Sequence, residues 1–424
     1  MTRSRRPLAF VFAAAVVSVA LMYARTLHYG FFWDDFDVLR PWTRGDLWRA
    51  WVGPYRPWEP IAFYRPLTST YYAAASTMFG FNALALHVIP LIALAVLAVL
   101  TARFVMRDTS NHTMAGIAAV LVSTHPTLAT SMGPWIANQY HTFMTICLVA
   151  ALLIWQRGRL GTTAWWWRAA PWLVAAAWFK EDGLLLPLAL GLAQWWTASL
   201  APQSELARPS RRAWLALGAL VVALIVWRAL WLPSQLGYGW RTSGQMLANL
   251  LRAPRYVLLW QVGPPAVAWP AMAAKAAILV ASVWVLVRAR TAPGARLIVT
   301  GITVMVVANL PLMFVSSEGR WHLIGWGAVL MTAGALGEWI ARVPRWGWVA
   351  SVAIVLALAA SSVERVATFA PCSTESLSHD EEMAETPDLP PPLRAWISAR
   401  AETCRTGHYT DFSVPMRDLT WGTR

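Results

Sequence analysis

The stretch "GFFWDDFDVLRPW", Gly30 to Trp42, sets two adjacent carboxylates, Asp34 and Asp35, among Phe31, Phe32 and Trp33. Two acids under aromatic cover acquire different pKa values, so one of them can act as a base near neutral pH. The same pair also reads as helix caps or as solvated loop acids. Further groups able to do chemistry are Glu59, His125, His141, the run Lys180-Glu181-Asp182, and Arg320 and His322 in "EGRWH". Each has a plain alternative. Lys180-Glu181-Asp182 reads as a charged turn, or Lys180 snorkels to headgroup depth. His125-Pro126 reads as a helix kink, and Arg320 as the partner of Glu318. Arg228 and Lys275 stand inside apolar runs, where each either snorkels or lines a cavity.

The elements that must position these residues are membrane helices. Of 424 residues, 57% are hydrophobic and 13% charged, with mean hydropathy +0.46. A soluble protein carries about a quarter charged residues. Apolar runs near the length of a bilayer crossing recur along the chain, which predicts a polytopic all-α membrane protein. The excess of 35 Lys+Arg over 21 Asp+Glu comes with no nucleic-acid-binding signature and reads as orientation signals in cytoplasmic loops. Three cysteines are too few for a disulfide framework, and their spacing makes no metal site. Cys372 and Cys404 both fall in the tail, where pairing stays open.

About eleven spans are expected, at 8–26, 82–105, 113–132, 136–156, 164–179, 183–200, 213–232, 266–287, 296–315, 321–340 and 346–364. With the N-terminus in the cytoplasm, most loop arginines collect on that side. The short loops opposite hold only Lys180, Arg241, Arg252, Arg255 and Arg320. That bias sets the orientation and puts the C-terminus outside. The first span lacks a small-residue cleavage site and reads as an anchor.

The expected organisation is a transmembrane domain over 1–365 and a short extracytoplasmic tail over 366–424. The first outer loop, 27–80, carries the acidic motif and two surface helices. In "TRGDLWRAW", Leu47, Trp48 and Trp51 share a helical face, a pattern suited to the interface. "RPLTSTYYAAASTMF" is too short and polar to span. Residues 233–256 have room for one more surface helix, and "DLPPPLR" in the tail reads as a stiff extended piece.

Under this topology Asp34, Asp35, Glu59, His125, His141, Lys180, Glu181, Asp182, Arg320 and His322 all map to one side. Boundary ionisable residues usually face a bundle interior or a watery cavity, so a polar cavity open to the outside is expected. Of the 28 tryptophans, most read as interfacial belts. Trp33, Trp42, Trp58 and Trp135 lie on the outer side, where indole faces also stack on sugar rings.

The ordered set "FFWDD", "YRPLTSTYYAAASTMFGFNALALHVIPLIALAVLAVL", "HPTLATSMGPWIANQYHTF", "WFKEDGLLLPLAL" and "NLPLMFVSSEGRWHLIGWG" resembles the lipid-sugar-dependent glycosyltransferases of the GT-C superfamily. The likeness is to protein O-mannosyltransferase-like enzymes and relatives that often carry tetratricopeptide repeats, a domain this chain lacks. It spans roughly residues 8 to 345 in order.

The resemblance implies a GT-C-like fold and an inverting transferase. A monosaccharide would pass from a polyprenyl-phosphate donor to a hydroxyl of a protein or glycan on the extracytoplasmic face. Asp34-Asp35 occupies the place of the acidic motif that activates the acceptor. The family's loop arginine falls on Arg65, its "SKE"-like motif on Lys180-Glu181, and its late Arg-aromatic motif on Arg320-Trp321, where "WHLIG" replaces the usual continuation. Asp34 and Asp35 are thus the catalytic candidates, and Arg65, Lys180 and Arg320 the donor-phosphate candidates. Trp33, Glu59, His125, His141, Glu181 and His322 are candidates for the sugar or acceptor pocket. No metal site is assigned. The two acids could hold a divalent cation, but nothing else in the sequence completes an oxygen-rich cage.

Relatives usually have an acid after the His-Pro and a basic-acidic pair after "WI", where this chain has Thr130 and Ser131, then Gln139 and His141. That departure leaves the donor sugar open. It also keeps alive an inactive GT-C-like scaffold, beside the rival reading of a lipid-linked saccharide transporter or flippase. Composition points to a bacterial cytoplasmic membrane.

Overall fold

A computed structural model describes residues 6–29, 31, 35–54, 57, 63–132, 136–158, 165–200, 208–231, 243–258, 264–310, 322–367, 381, 384–385, 391–406 and 413–414. Apart from one short strand pair, every described element is helical. Chain order runs α1 (Arg6–Tyr23), α2 (Asp35–Val38), α3 (Arg44–Trp51), α4 (Pro66–Phe79), α5 (Ala83–Thr109), α6 (His112–Thr124), α7 (Pro126–Met132) and α8 (Tyr140–Gly158). It continues with α9 (Trp165–Phe179), α10 (Leu186–Leu200), α11 (Arg211–Trp231), α12 (Ser243–Leu258), α13 (Pro265–Arg288), α14 (Pro293–Asn309), α15 (His322–Arg342), α16 (Pro344–Ala367) and α17 (Pro391–Thr406).

Among the described residues, eight helical segments are long and apolar enough to cross a bilayer. They correspond to α1, α5, α8, α10, α11, α13, α15 and α16. The other three expected spans are helices too, but shorter. Residues 113–132 are split into α6 and α7, because Pro126 cannot donate to the helix ladder and biases His125 to extended backbone (φ −80°, ψ 122°). The kink expected at His125-Pro126 is thus a full break. α9 has 15 residues and α14 has 17.

α15 is buried nearly all round and forms the axis of the bundle. It packs against α14 along glycines. A Cβ at Gly301 or Gly327 would strike the backbone of the opposite helix, and Gly294 and Gly334 repeat the contact. Small residues are what let two helix backbones approach this closely in lipid, where packing replaces the hydrophobic effect as the force between helices.

The segment after α1 is layered over one end of this bundle. Thr43 and Asp46 cap α3 reciprocally: the Thr43 hydroxyl accepts from the Asp46 amide at 3.0 Å, and Asp46 accepts from the Thr43 amide at 3.0 Å. α3 leaves Trp48 exposed, as a surface helix should. α4 differs from expectation. It starts at Pro66, where a missing N–H costs nothing, but Thr68, Ser69, Tyr72, Ala73, Ala75 and Ser76 are buried. The hydroxyls of Thr68, Ser69, Tyr72 and Ser76 bond within the helix or to neighbours, which is how so polar a sequence is tolerated there.

The tail also departs from its sequence reading. "DLPPPLR" was expected to be extended, yet α17 begins inside it at Pro391. Proline's fixed φ suits the first turn of a helix as well as an extended run. Ile397 of α17 is fully buried in a cluster with Phe31, Leu39, Tyr72, Leu86 and Tyr140. The strand pair Phe81–Asn82 with Ser413–Val414 fastens the tail to the start of α5.

Candidate functional site

Asp35 opens α2 with its side chain wholly buried. Its Oδ1 accepts the backbone N–H of Ala137, in the single 3₁₀ turn Ile136–Asn138 that leads into α8. The Tyr72 hydroxyl donates to the Ile136 carbonyl at 3.1 Å, so α4 clamps the same turn. Tyr71 lies close to Asp35. Burial first, and the carboxylate's charge second, push its phenol above the usual tyrosine range.

Three residues past Ala137, the Tyr140 ring lies 4.9 Å from the Arg65 guanidinium, which is also 4.2 Å from the Phe63 ring. Arg65 precedes α4 and is buried. Its Nε donates to both Glu181 oxygens at 3.0 and 3.1 Å, and its Nη2 donates to Oε2 at 2.7 Å. This is the planar, charge-assisted fork that arginine makes with carboxylates. The Lys180 ammonium bonds Asp182 at 2.6 Å. The turn that carries these residues folds back tightly, for Gly183 sits against the Ala176 backbone with no room for a Cβ. Thr68 donates to the Phe179 carbonyl at 2.7 Å, tying α4 to the end of α9.

His141 follows Tyr140 and stacks on His322 with ring centroids 5.2 Å apart and 22° between planes. Both imidazoles are fully buried. Neither nitrogen of His322 has a hydrogen-bond partner among the described residues, and Lys180 is close enough to act on it electrostatically. A buried imidazole with two unsatisfied nitrogens is a site waiting for polar company.

Among the described residues, then, six sequence candidates gather at one end of the bundle: Asp35, Arg65, Lys180, Glu181, His141 and His322. The turn 136–141 runs through the middle of them. His125 is placed otherwise. It caps α6, its Nδ1 accepts from the Thr127 amide at 3.3 Å, and the cation acting on it is Lys275 of α13. Asp34, Trp33, Glu59 and Arg320 lie outside the described residues. No three His, Cys, Asp or Glu side chains gather among the described residues where a metal ion could sit.

Two members went unassigned at the sequence level. Arg228, near the end of α11, brings Nη2 to 3.8 Å from Glu181 Oε1. A lone arginine in an apolar run was the available signal, but nothing in the sequence named its partner. Tyr140 had no signal, since an aromatic residue at a helix start is ordinary in a membrane protein.

No family model matches the chain. No curated protein matches it either. Solved structures do. The oligosaccharyltransferase of Archaeoglobus fulgidus in complex with Zn and sulfate superposes with a TM-score of 0.52 at 14% identity, covering 96% of this chain and 59% of that one. Its apo form gives 0.46 at 14% identity, covering 100% and 62%. The archaeal oligosaccharyltransferase AglB from the same organism, in complex with an inhibitory peptide and a dolichol-phosphate, gives 0.48 at 16% identity, covering 99% and 61%. The chain thus spans about three fifths of the length of the first of these. At such identity the likeness is one of fold: the all-α helical fold that the oligosaccharyltransferase in complex with Zn and sulfate also has.

Proposed function

We propose that this chain is a membrane glycosyltransferase that moves a monosaccharide from a polyprenyl-phosphate donor to a hydroxyl of a protein or glycan on the extracytoplasmic face. The observation that carries the reading is the turn 136–141. One of its ends holds Asp35 through the Ala137 amide, and the other lays Tyr140 against Arg65, itself locked to Glu181 beside Lys180. An acid and a group of cations are thereby held in one fixed neighbourhood.

Glycosyl transfer from a lipid phosphate needs that pairing. The acceptor oxygen forms a bond to the anomeric carbon as the bond from that carbon to the phosphate oxygen breaks, with inversion. The acceptor's proton passes to a carboxylate, for which Asp34 is the base and Asp35 its fixed partner. Negative charge that grows on the departing polyprenyl phosphate is met by the cations at this end, Arg320 directly and Arg65 and Lys180, each paired to a carboxylate, through their field. The buried His141–His322 pair supplies ring nitrogens that can hydrogen-bond sugar hydroxyls or the phosphate. The donor's tail stays in lipid and its phosphate at headgroup depth, so the chemistry belongs at the end of a helical bundle.

Purified protein in proteoliposomes, supplied with polyprenyl-phosphate-linked monosaccharides and candidate acceptors, is expected to transfer sugar. Asp34→Asn is expected to abolish transfer while leaving the chain folded and inserted. Movement of the lipid across the bilayer with no glycosyl product would instead make it a transporter.

A further inference from the structure

In this site two guanidinium groups share one carboxylate, unequally. Glu181 is taken at both oxygens by the Arg65 fork, while Arg228 Nη2 stays at 3.8 Å, outside hydrogen-bond reach. Lys180 is engaged by Asp182 at 2.6 Å. Both cations that the sequence singled out here are therefore committed to carboxylates. Arg228 is the cation of the cluster whose donors no described carboxylate accepts at hydrogen-bond distance, its ion pair with Glu181 being 3.8 Å long. Among the described residues the cations Arg65, Lys180 and Arg228 face the anions Glu181 and Asp182.

Arg228 is also well aimed. Its neighbour Trp227 donates from Nε1 to the Tyr64 hydroxyl at 2.8 Å, and that hydroxyl donates to the Trp51 carbonyl at 3.0 Å. These bonds fasten the end of α11 to the residue just before Arg65. The Arg228 side chain remains 19% exposed, more than those of Arg65 and Lys180.

We infer that Arg228 grips the phosphate of the lipid-linked donor, with Glu181 holding it ready and Arg65 fixing Glu181 in place. The inference rests on the donor class proposed above. A planar fork of donors matches phosphate oxygens bidentately, which the Lys180 point charge cannot do. When donor arrives, Arg228 exchanges a long contact to Glu181 for short ones to phosphate, and the Arg65–Glu181 pair stays intact.

The test compares equilibrium binding of undecaprenyl phosphate and of undecaprenol to the full chain in nanodiscs. Wild type is expected to prefer the phosphate. Arg228→Gln is expected to lose about tenfold to a hundredfold of that preference with undecaprenol binding unchanged, a split that general structural damage would not give. Arg228→Lys, which keeps charge but loses the fork, is expected to fall between and carries the comparison should the Gln variant not fold. Wild-type preference in both variants overturns the inference. Displacement of undecaprenyl phosphate by millimolar inorganic phosphate overturns the lipid assignment. If the preference exists and depends on Arg228 but no sugar is transferred, the glycosyltransferase reading falls and this inference stands. If transfer occurs and Arg228→Gln binds as wild type does, this inference falls alone.

Discussion

Arg65 and Glu181, 116 residues apart in sequence, form a buried forked ion pair that joins the residue before α4 to the turn between α9 and α10. Glu181 is thereby withdrawn from its sequence neighbour Lys180, which bonds Asp182 instead.

Breaking that pair from one side leaves a buried charge without its counterion. Arg65→Ala and Glu181→Ala are each expected to cost about 3–5 kcal/mol, read as a loss of thermal stability in detergent. The double variant is expected to lose less than the sum. Additive losses would show that the two side chains do not act as a unit.

Asp35 is held by a backbone amide that a neutral amide oxygen can also accept from. Asp35→Asn is expected to keep the fold and lower transfer by about 10²–10⁴-fold, the scale of a lost acid–base group or its immediate partner. Asp35→Ala is expected to destabilise as well, by about 1–3 kcal/mol, because the buried Ala137 N–H loses its acceptor. Wild-type transfer by the Asn variant would remove Asp35 from the site.

Burial, and then Asp35, raise the Tyr71 phenol above its ordinary value of 10.0. A group whose pKa is raised by folding contributes stability that is full below the unfolded value and fades as pH climbs past it. The chain is therefore expected to lose stability above about pH 10, and Tyr71→Phe to flatten that loss. Near neutral pH the same variant is expected to be close to neutral, since the hydroxyl has no hydrogen-bond partner among the described residues. Melting temperature against pH, for both chains, reads both effects.

At the bundle axis, Gly301→Leu is expected to force α14 and α15 apart. Overpacking of this kind costs about 1–3 kcal/mol or more. Leu in place of Gly218, where a Cβ meets nothing within 4 Å, is the control and is expected to be tolerated. Equal stability of the two variants would contradict the close approach.

The bundle was legible because hydropathy belongs to each segment separately. An apolar run near bilayer length must be a helix whatever surrounds it, since its backbone has no water to bond. The helix over Pro66–Phe79 was equally readable, and the kink expected at His125-Pro126 falls where the chain breaks, because proline acts through local covalent geometry. From the same reading came the sidedness that grouped Asp35, Lys180, Glu181, His141 and His322, whereas Arg65 was singled out by the family resemblance alone.

Lateral order decided the rest. Which helix neighbours which leaves no periodic trace, because almost any apolar face can meet any other in lipid. Only the packed chain set Glu181 between Arg65 and Arg228, laid Tyr140 against Arg65, stacked His141 on His322 and brought Lys275 within electrostatic reach of His125. It also folded "PPLR" into a helix and buried Ile397 beside Phe31 and Tyr72. The sequence by itself determined that charges would collect at one end of a membrane bundle. Their pairing was a matter of distance in three dimensions, since Coulomb attraction and hydrogen bonds act over a few ångströms of space and not along the chain.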